Sequence, residues 1–251
     1  MVLARAGDLI DDPTRIALFL DLDGTIIDIA PTPEAVIVPP ELTATVAGLS
    51  RGLAGALAII TGRPMSDVDR FLHPLRPVAA GVHGAELRLA EGGPVTFDAE
   101  GLDDNLVEAV KRLEGIASGI LVEPKGRSIA VHYRQAPAAG DALMSALEPI
   151  LASYDDRLVL CPGRKVLEIV PRRISKGGAL ATIAALPAFG GRRPVMIGDD
   201  TSDVSAFAAA TSLGGVGLKV AGESFSSGEA DFRGPSAVRS WLSALAERLT
   251  S

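Results

Sequence analysis

The sequence predicts an α/β protein with a largely parallel sheet, interrupted by a smaller α+β domain. Three observations carry that expectation. Short apolar runs alternate with stretches of helical periodicity near both ends of the chain, the pattern of a parallel sheet with crossover helices. The middle of the chain instead reads hairpin, helix, hairpin, which is antiparallel α+β order. Acids or a Thr-Gly pair close three of the apolar runs, and the carboxyl ends of parallel strands are where ligands bind.

Each element has its own signal. IALFLDLD (16–23) is a nearly continuous apolar run ending in acids, the composition of a strand buried on both faces. Leu42, Val46, Leu49 and Leu53 recur at helical spacing. ALAII (56–60) and PVAAGV (77–82) read as the next strands, with a helix starting near Ser66 between them. A helix-like stretch near 103–117 precedes ILVEPKGRSIAVHYR (120–134), which reads as two strands about a tight turn at Lys125-Gly126-Arg127. A helix over about 138–153 follows, then RLVLC (157–161) and KVLEIV (165–170), with the turn placed at Pro162-Gly163. PVMIG (194–198) and GGVGLKV (214–220) return to the strand pattern. Val238, Trp241, Leu242, Leu245 and Leu249 mark a last helix behind Pro235 and Ser236. The expected organisation is a Rossmann-like parallel-sheet core over 1–100 and 172–251, with an inserted α+β domain over 101–171.

Composition excludes several function classes. With 47% hydrophobic and 22% charged residues in 251, the chain is globular rather than disordered. A net charge of −7 argues against a nucleic-acid binder, which would carry a basic stripe. It also means that an anionic substrate is drawn by local cations, not by the global field. One stretch is locally basic: 119–176 holds nine lysines and arginines against six acids. A single cysteine, Cys161, rules out an internal disulfide and a cysteine zinc cluster. The first residues, MVLARAGDLIDDPTR, lack the apolar run of a signal peptide, and no window has the apolar length of a membrane span. The expectation is a soluble, cytoplasmic protein with no membrane and no nucleic-acid partner; the sequence carries no signal of its oligomeric state.

Four short motifs carry chemistry. DLDGT (21–25) puts Asp21 and Asp23 two residues apart at a strand exit, where they repel unless a cation or a proton holds them; solvated acids at an ordinary turn are the alternative. IITGRP (59–64) offers the Thr61 hydroxyl and the Gly62 N–H, a modest phosphate-binding pair. In RRISKGGAL (172–180), Ser175 is a good N-cap and places Lys176 in the first helical turn. The helix dipole disfavours a cation there, so the position suggests a nearby anion, with a plain solvated lysine as the other reading. MIGDDTSD (196–203) brings Asp199, Asp200 and Asp203 close together; oxygen-only ligands without a cysteine or histidine cluster favour Mg²⁺ over zinc.

In this order the four motifs resemble those of the haloacid-dehalogenase-like phosphatases over the full chain. The domain inserted between the second and third motifs matches the C2B-type cap. The resemblance implies Asp21 as the nucleophile that becomes phosphorylated and Asp23 as the general acid and base. It implies Mg²⁺ held by Asp21, the Asp23 carbonyl and Asp199, with Asp200 and Asp203 ordering the metal shell and Lys176. Thr61, Gly62 and Lys176 would bind the phosphoryl oxygens.

Further segments narrow the resemblance. AGVHGAE (80–86), VEPKGRSIAVHYR (122–134) and GRKVLEI (163–169), with ITGR and SKGGAL, are similar to the trehalose-6-phosphate phosphatases. That likeness implies a sugar-phosphate substrate recognised by cap residues Glu123, Lys125, His132, Arg134 and Glu168. Arg63, His83 and Glu86 are further substrate-site candidates; for His83 and Glu86, capping of the core strand is the equal alternative. Strand alternation separates Ile129, Val131 and Tyr133 from His132 and Arg134, and puts Glu168 on one face with Val166 and Val170. Two departures touch substrate preference. The family pattern continues with acids after Asp203, where this chain has Val204 and Ser205, and often has Arg-Pro where this chain has Val170-Pro171. The alternative is a phosphatase for another sugar phosphate, such as glucosylglycerol phosphate or mannosylglycerate phosphate. A two-component receiver domain would also combine a phosphorylatable Asp with Thr and Lys, but lacks DxDGT and needs about half the length. A module that has lost catalysis would lack one of Asp21, Asp23, Lys176 and Asp199, all of which are present.

Overall fold

The computed structural model describes residues 15–32, 35–154 and 157–250. The leading residues read above for a targeting segment lie outside them, as do Asp155 and Asp156 of the basic stretch. Two compact units divide the chain: one takes it up to Thr96 and again from Ser175, the other is Phe97–Ile174. The changeovers fall four residues before and three after the positions read from the sequence. No described helix is long and apolar enough to cross a membrane.

The first unit is built on a seven-stranded sheet. In chain order its strands are β1 (Ile16–Leu20), β2 (Leu57–Ile60), β3 (Val78–Gly81), β4 (Glu86–Arg88), β5 (Thr96–Phe97), β10 (Arg193–Gly198) and β11 (Val216–Lys219). The spatial order is β11-β10-β1-β2-β3-β4-β5. β1 runs parallel to β10 on one side and to β2 on the other, and the parallel pattern continues to β3 and β11. A run of five apolar residues has no wet face, so β1 is stable only when covered on both sides, and all five are buried. Its covering helices are α1 (Leu42–Gly52), which lies against α7 (Pro235–Thr250), and α5 (Lys176–Ala184), which lies against α6 (Val204–Ser212). Leu42, Val46 and Leu49 of α1 and Val238, Leu242 and Leu245 of α7 are buried, as their spacing predicts. The short α2 (Met65–Phe71) joins β2 to β3.

Two features of this sheet were not expected. β4 pairs antiparallel with β3, and β5 extends that edge. β4 escapes a pattern search because Arg88 is charged yet wholly buried, its guanidinium held by both oxygens of Asp69 at 2.7 and 2.8 Å. Between β10 and β2, the chain leaves β1 in opposite directions at a topological switch point, which opens a crevice at the carboxyl ends.

The second unit is a four-stranded antiparallel sheet, β6 (Leu121–Pro124), β7 (Ile129–His132), β8 (Leu158–Gly163) and β9 (Val166–Pro171), in the order β6-β7-β9-β8. α3 (Asp104–Lys111) and α4 (Gly140–Ala152) cover one face. Their Leu106, Val110, Leu143 and Leu147 pack with Ile129, Val131, Leu167 and Ile169. The stretch expected as one helix to 117 breaks at Lys111 into a 3₁₀ segment, Arg112–Ile116. The turn expected at Pro162-Gly163 is not there: β8 runs through both residues, and Gly163 pairs with Val166. The hairpin closes instead at Arg164 and Lys165, with Lys165 in the left-handed region at φ 56°. Pro162 is tolerated because β8 is an edge strand, where one ladder N–H is not required.

Candidate active site

The crevice at the carboxyl ends of β1 and β10 collects the acids. Asp21 continues β1, its N–H donating to the Ile197 carbonyl at 3.1 Å, so the ladder itself fixes its backbone. Asp199 and Asp203 follow β10. Asp21, Asp199 and Asp203 each offer an oxygen within 4.8 Å of the others, and all three are buried. Gly24 makes this closeness possible. It adopts φ 76°, and a Cβ there would overlap the Asp199 carboxylate. The Thr25 hydroxyl lies 3.5 Å from Asp199 Oδ1.

Lys176 is the counter-charge. Ser175 caps α5, its Oγ accepting the Gly178 N–H at 3.1 Å, and this sets Lys176 at the first helical position. Its Nζ lies 3.0 Å from Asp21 Oδ1 and 2.7 Å from Asp203 Oδ1. The anion that the unfavourable dipole position called for is thus in part the protein's own. Burial alone would depress the lysine, but the charges of Asp203 and Asp21 outweigh it and hold Nζ protonated far beyond neutral pH. Burial pushes the Asp21 carboxyl well above the usual carboxylate range; Asp203, Asp199 and Asp23 add to this, against the pull of Lys176. With all three carboxylates ionised, the one ammonium leaves this buried group at −2. A divalent cation neutralises that excess, and an all-oxygen donor set suits a hard one.

The other acids of the motifs are engaged differently. Asp203 Oδ2 accepts the Asp200 N–H at 3.0 Å and the Asp200 side chain accepts the Asp203 N–H in return, a capping box, while Asp200 Oδ1 also accepts the Thr201 N–H at 2.8 Å. The Ser224 hydroxyl adds a bond to Asp200 Oδ1 at 2.6 Å. Asp23 is held by Arg63, Nε to Oδ2 at 2.6 Å and Nη2 to Oδ1 at 2.8 Å. Arg63 is braced in turn by Asp67 at 2.8 Å and by the Phe71 ring at 4.8 Å. The carboxylates of Asp23 and Asp200 therefore lie outside the buried trio.

Thr61 is buried at the end of β2, and its Oγ1 accepts the Arg63 N–H at 3.2 Å, shaping the turn that contains the half-buried Gly62. His83 is buried at φ 57°, its N–H donating to the Thr61 carbonyl at 3.0 Å. Glu86 Oε2 accepts the Met65 N–H at 2.6 Å, so this acid fixes the start of α2.

In the second unit, the face of the sheet turned from its core carries a polar cluster. Glu123, Ala130, Glu168 and Cys161 stand opposite one another across the four strands. Lys125 Nζ binds Glu168 Oε1 at 2.7 Å, with both side chains more than nine-tenths buried. His132 Nε2 lies 2.8 Å from Glu123 Oε2. Burial would raise Glu123, but the His132 hydrogen bond and the Lys125 charge overcome it and hold the carboxyl below its ordinary value. Arg134 donates to the Arg164 carbonyl at 3.2 Å. Asp67, Ser205 and Ser224 were not read as site residues. Asp67 alone had a signal, lying four residues beyond Arg63 at the start of a helix.

Comparison with known proteins covers most of the chain. The family model for trehalose-phosphatase matches residues 19–240. A probable trehalose-phosphate phosphatase of Sinorhizobium fredii is 40% identical over 81% of this chain and 77% of its own length. The trehalose-6-phosphate phosphatase of Escherichia coli is 38% identical over 82% of this chain and 77% of its own. Among solved structures, the C-terminal domain of the Candida albicans trehalose-6-phosphate phosphatase superposes with a TM-score of 0.83, covering 98% of this chain and 97% of that one. At 18% identity that likeness speaks for the fold alone.

Proposed function

Because the chain belongs to the trehalose-phosphatase family, we propose that it hydrolyses trehalose 6-phosphate to trehalose and inorganic phosphate, through a phosphorylated Asp21 and with Mg²⁺ as cofactor. The observation that carries the reading is the buried trio of Asp21, Asp199 and Asp203 with Lys176 bridging two of its members.

Asp21 attacks phosphorus in line, forming the aspartyl-phosphate as the bond from phosphorus to the sugar oxygen breaks. Lys176, with the Thr61 hydroxyl and the Gly62 N–H, receives the phosphoryl oxygens and offsets charge as it develops. Asp23 protonates the departing sugar oxygen and then takes a proton from the water that cleaves the intermediate. The Arg63 fork orients the Asp23 carboxyl group for this part. Its acid role requires a proton and a looser hold from Arg63. Asp21, Asp199 and the Asp23 carbonyl would hold Mg²⁺, which when bound would offset the negative charge of the carboxylates that meet the substrate's phosphate. Asp203 fits the part of orienting acid, since its two oxygens already serve Lys176 and the Asp200 N–H.

Sugar recognition falls to the polar face of the second unit, with Glu123, Lys125, His132 and Glu168 offering donors and acceptors suited to hydroxyl groups. This assigns the core unit to catalysis and Phe97–Ile174 to recognition. Arg63 and Glu86 have internal partners in the core unit, Asp23 and the start of α2. A cytoplasmic setting, where sugar phosphates are made, belongs to the same proposal. Phosphate release from a panel of purified sugar phosphates tests the reading. Trehalose 6-phosphate should give the highest kcat/KM. A higher value with glucosylglycerol phosphate or mannosylglycerate phosphate would replace the sugar and leave the phosphatase standing.

A further inference from the structure

We infer that Ser205 is a positioning residue for Lys176, holding the lysine's backbone so that its ammonium meets Asp21. The inference rests on the reading of Lys176 as the cation that receives the phosphoryl group. Lys176 and Gly177 open α5, whose first N–H groups find no carbonyl within their own helix. Ser175 takes the Gly178 N–H. The Gly177 N–H, next to Lys176, is taken by a residue from another helix: Ser205 Oγ, the second residue of α6, accepts it at 3.1 Å. The same hydroxyl donates to the Ser202 carbonyl at 3.4 Å, which leaves its lone pairs for Gly177.

The contact is specific to the two residue types. A Cβ on Gly177 would stand 2.5 Å from the Ser205 carbonyl oxygen, so the first turns of α5 and α6 meet backbone to backbone and only glycine fits. Asp203 belongs to the capping box of the turn that leads into α6, two residues before Ser205, and its Oδ1 holds Lys176 Nζ at 2.7 Å. One turn thus grips the lysine at both ends, its ammonium through Asp203 and its main chain through Ser205. Without the hydroxyl the Gly177 N–H loses this acceptor, and the first turn of α5 must move to find another. Lys176 is 3% exposed and has no slack to absorb that movement before it reaches Nζ. This is also one of the two positions where the family pattern carries an acid. A neutral hydroxyl makes the bond without adding charge to a group already at −2.

The test compares Ser205→Val with Ser205→Thr, which differ only in the hydroxyl, together with Ser205→Ala. Phosphate release is measured from trehalose 6-phosphate and from p-nitrophenyl phosphate, well below each protein's melting temperature. Val and Ala should lower kcat about tenfold on both esters with KM little changed, less than the hundredfold or more that follows loss of a direct transition-state donor. Inorganic phosphate should inhibit both variants more weakly, and Thr should restore kcat and inhibition. Equal kcat for Val and Thr, a loss confined to trehalose 6-phosphate, or a lowered melting temperature with unchanged kcat would each overturn the inference while leaving the phosphatase reading intact. No release from either ester by the wild-type chain would overturn both.

Discussion

Asp21 and Asp23 stand two residues apart in the sequence and in different electrostatic settings. Asp21 is buried beside two carboxylates and one ammonium; Asp23 is half-exposed in the fork of an arginine. The first setting strains an anion, which a bound divalent cation would relieve, and the second pairs it with a guanidinium that must loosen before Asp23 can carry a proton. Asp21→Asn keeps the shape and removes the charge. Phosphate release should fall by roughly 10⁴-fold or more. The metal-free variant should melt higher than the wild type, because one of three mutually repelling buried carboxylates is gone. Retained turnover would remove Asp21 from the reaction. None of this separation was legible from DLDGT, because the residue that makes it, Arg63, lies 40 positions away.

Among elements, those with a single environment along their length were legible. β1, β2 and β3 are apolar throughout and buried, and β10 and β11 are largely so, which made all five readable from composition. β4 and the turn of the β8–β9 hairpin were not. The first carries a buried arginine, and the second lies beyond a Pro-Gly pair that elsewhere marks a turn. At the corrected turn, Lys165 pays for a left-handed backbone that glycine adopts freely. Lys165→Gly should therefore stabilise the protein by about 0.5–1 kcal/mol, readable by denaturant titration. The polar face of the second unit changes how its variants must be read. Glu168→Ala should lower kcat/KM for trehalose 6-phosphate about ten- to hundredfold, the worth of a charge-assisted hydrogen bond, and spare p-nitrophenyl phosphate. It also strands the buried Lys125 ammonium, so its melting temperature should drop, and Lys125→Met in the same chain should recover part of it. Equal losses on both esters would make Glu168 structural.

Across the whole molecule, two carboxyls pull stability in opposite directions with pH. Glu123 is held below its ordinary value, so its contribution is complete above that value and disappears as pH falls through the depressed one. Asp21 is raised, so its contribution is complete below the unfolded value and is lost as pH rises through the folded one. With a chelator present, the melting temperature of the wild type should fall behind that of Asp21→Asn increasingly as pH rises from acid to neutral. Millimolar Mg²⁺ should close the gap by binding the folded wild type. A gap that ignores both pH and the cation would show that the trio does not behave as a charged site. Glu123→Gln should flatten the acid limb of the same curves.

The order β11-β10-β1-β2 also has a consequence for synthesis. β1 emerges from the ribosome early, yet its neighbour β10 follows more than 170 residues later, after the whole of Phe97–Ile174. The interrupting unit closes its hairpins locally, with β6 against β7 and β8 against β9, and can gain structure while β1 still waits with one neighbour. Any premature stop before Arg193 leaves the central strand half-paired, its apolar edge exposed to other chains, and deletes Asp199 and Asp203 along with it. Late nonsense and frameshift variants should thus yield aggregates instead of weakened enzymes.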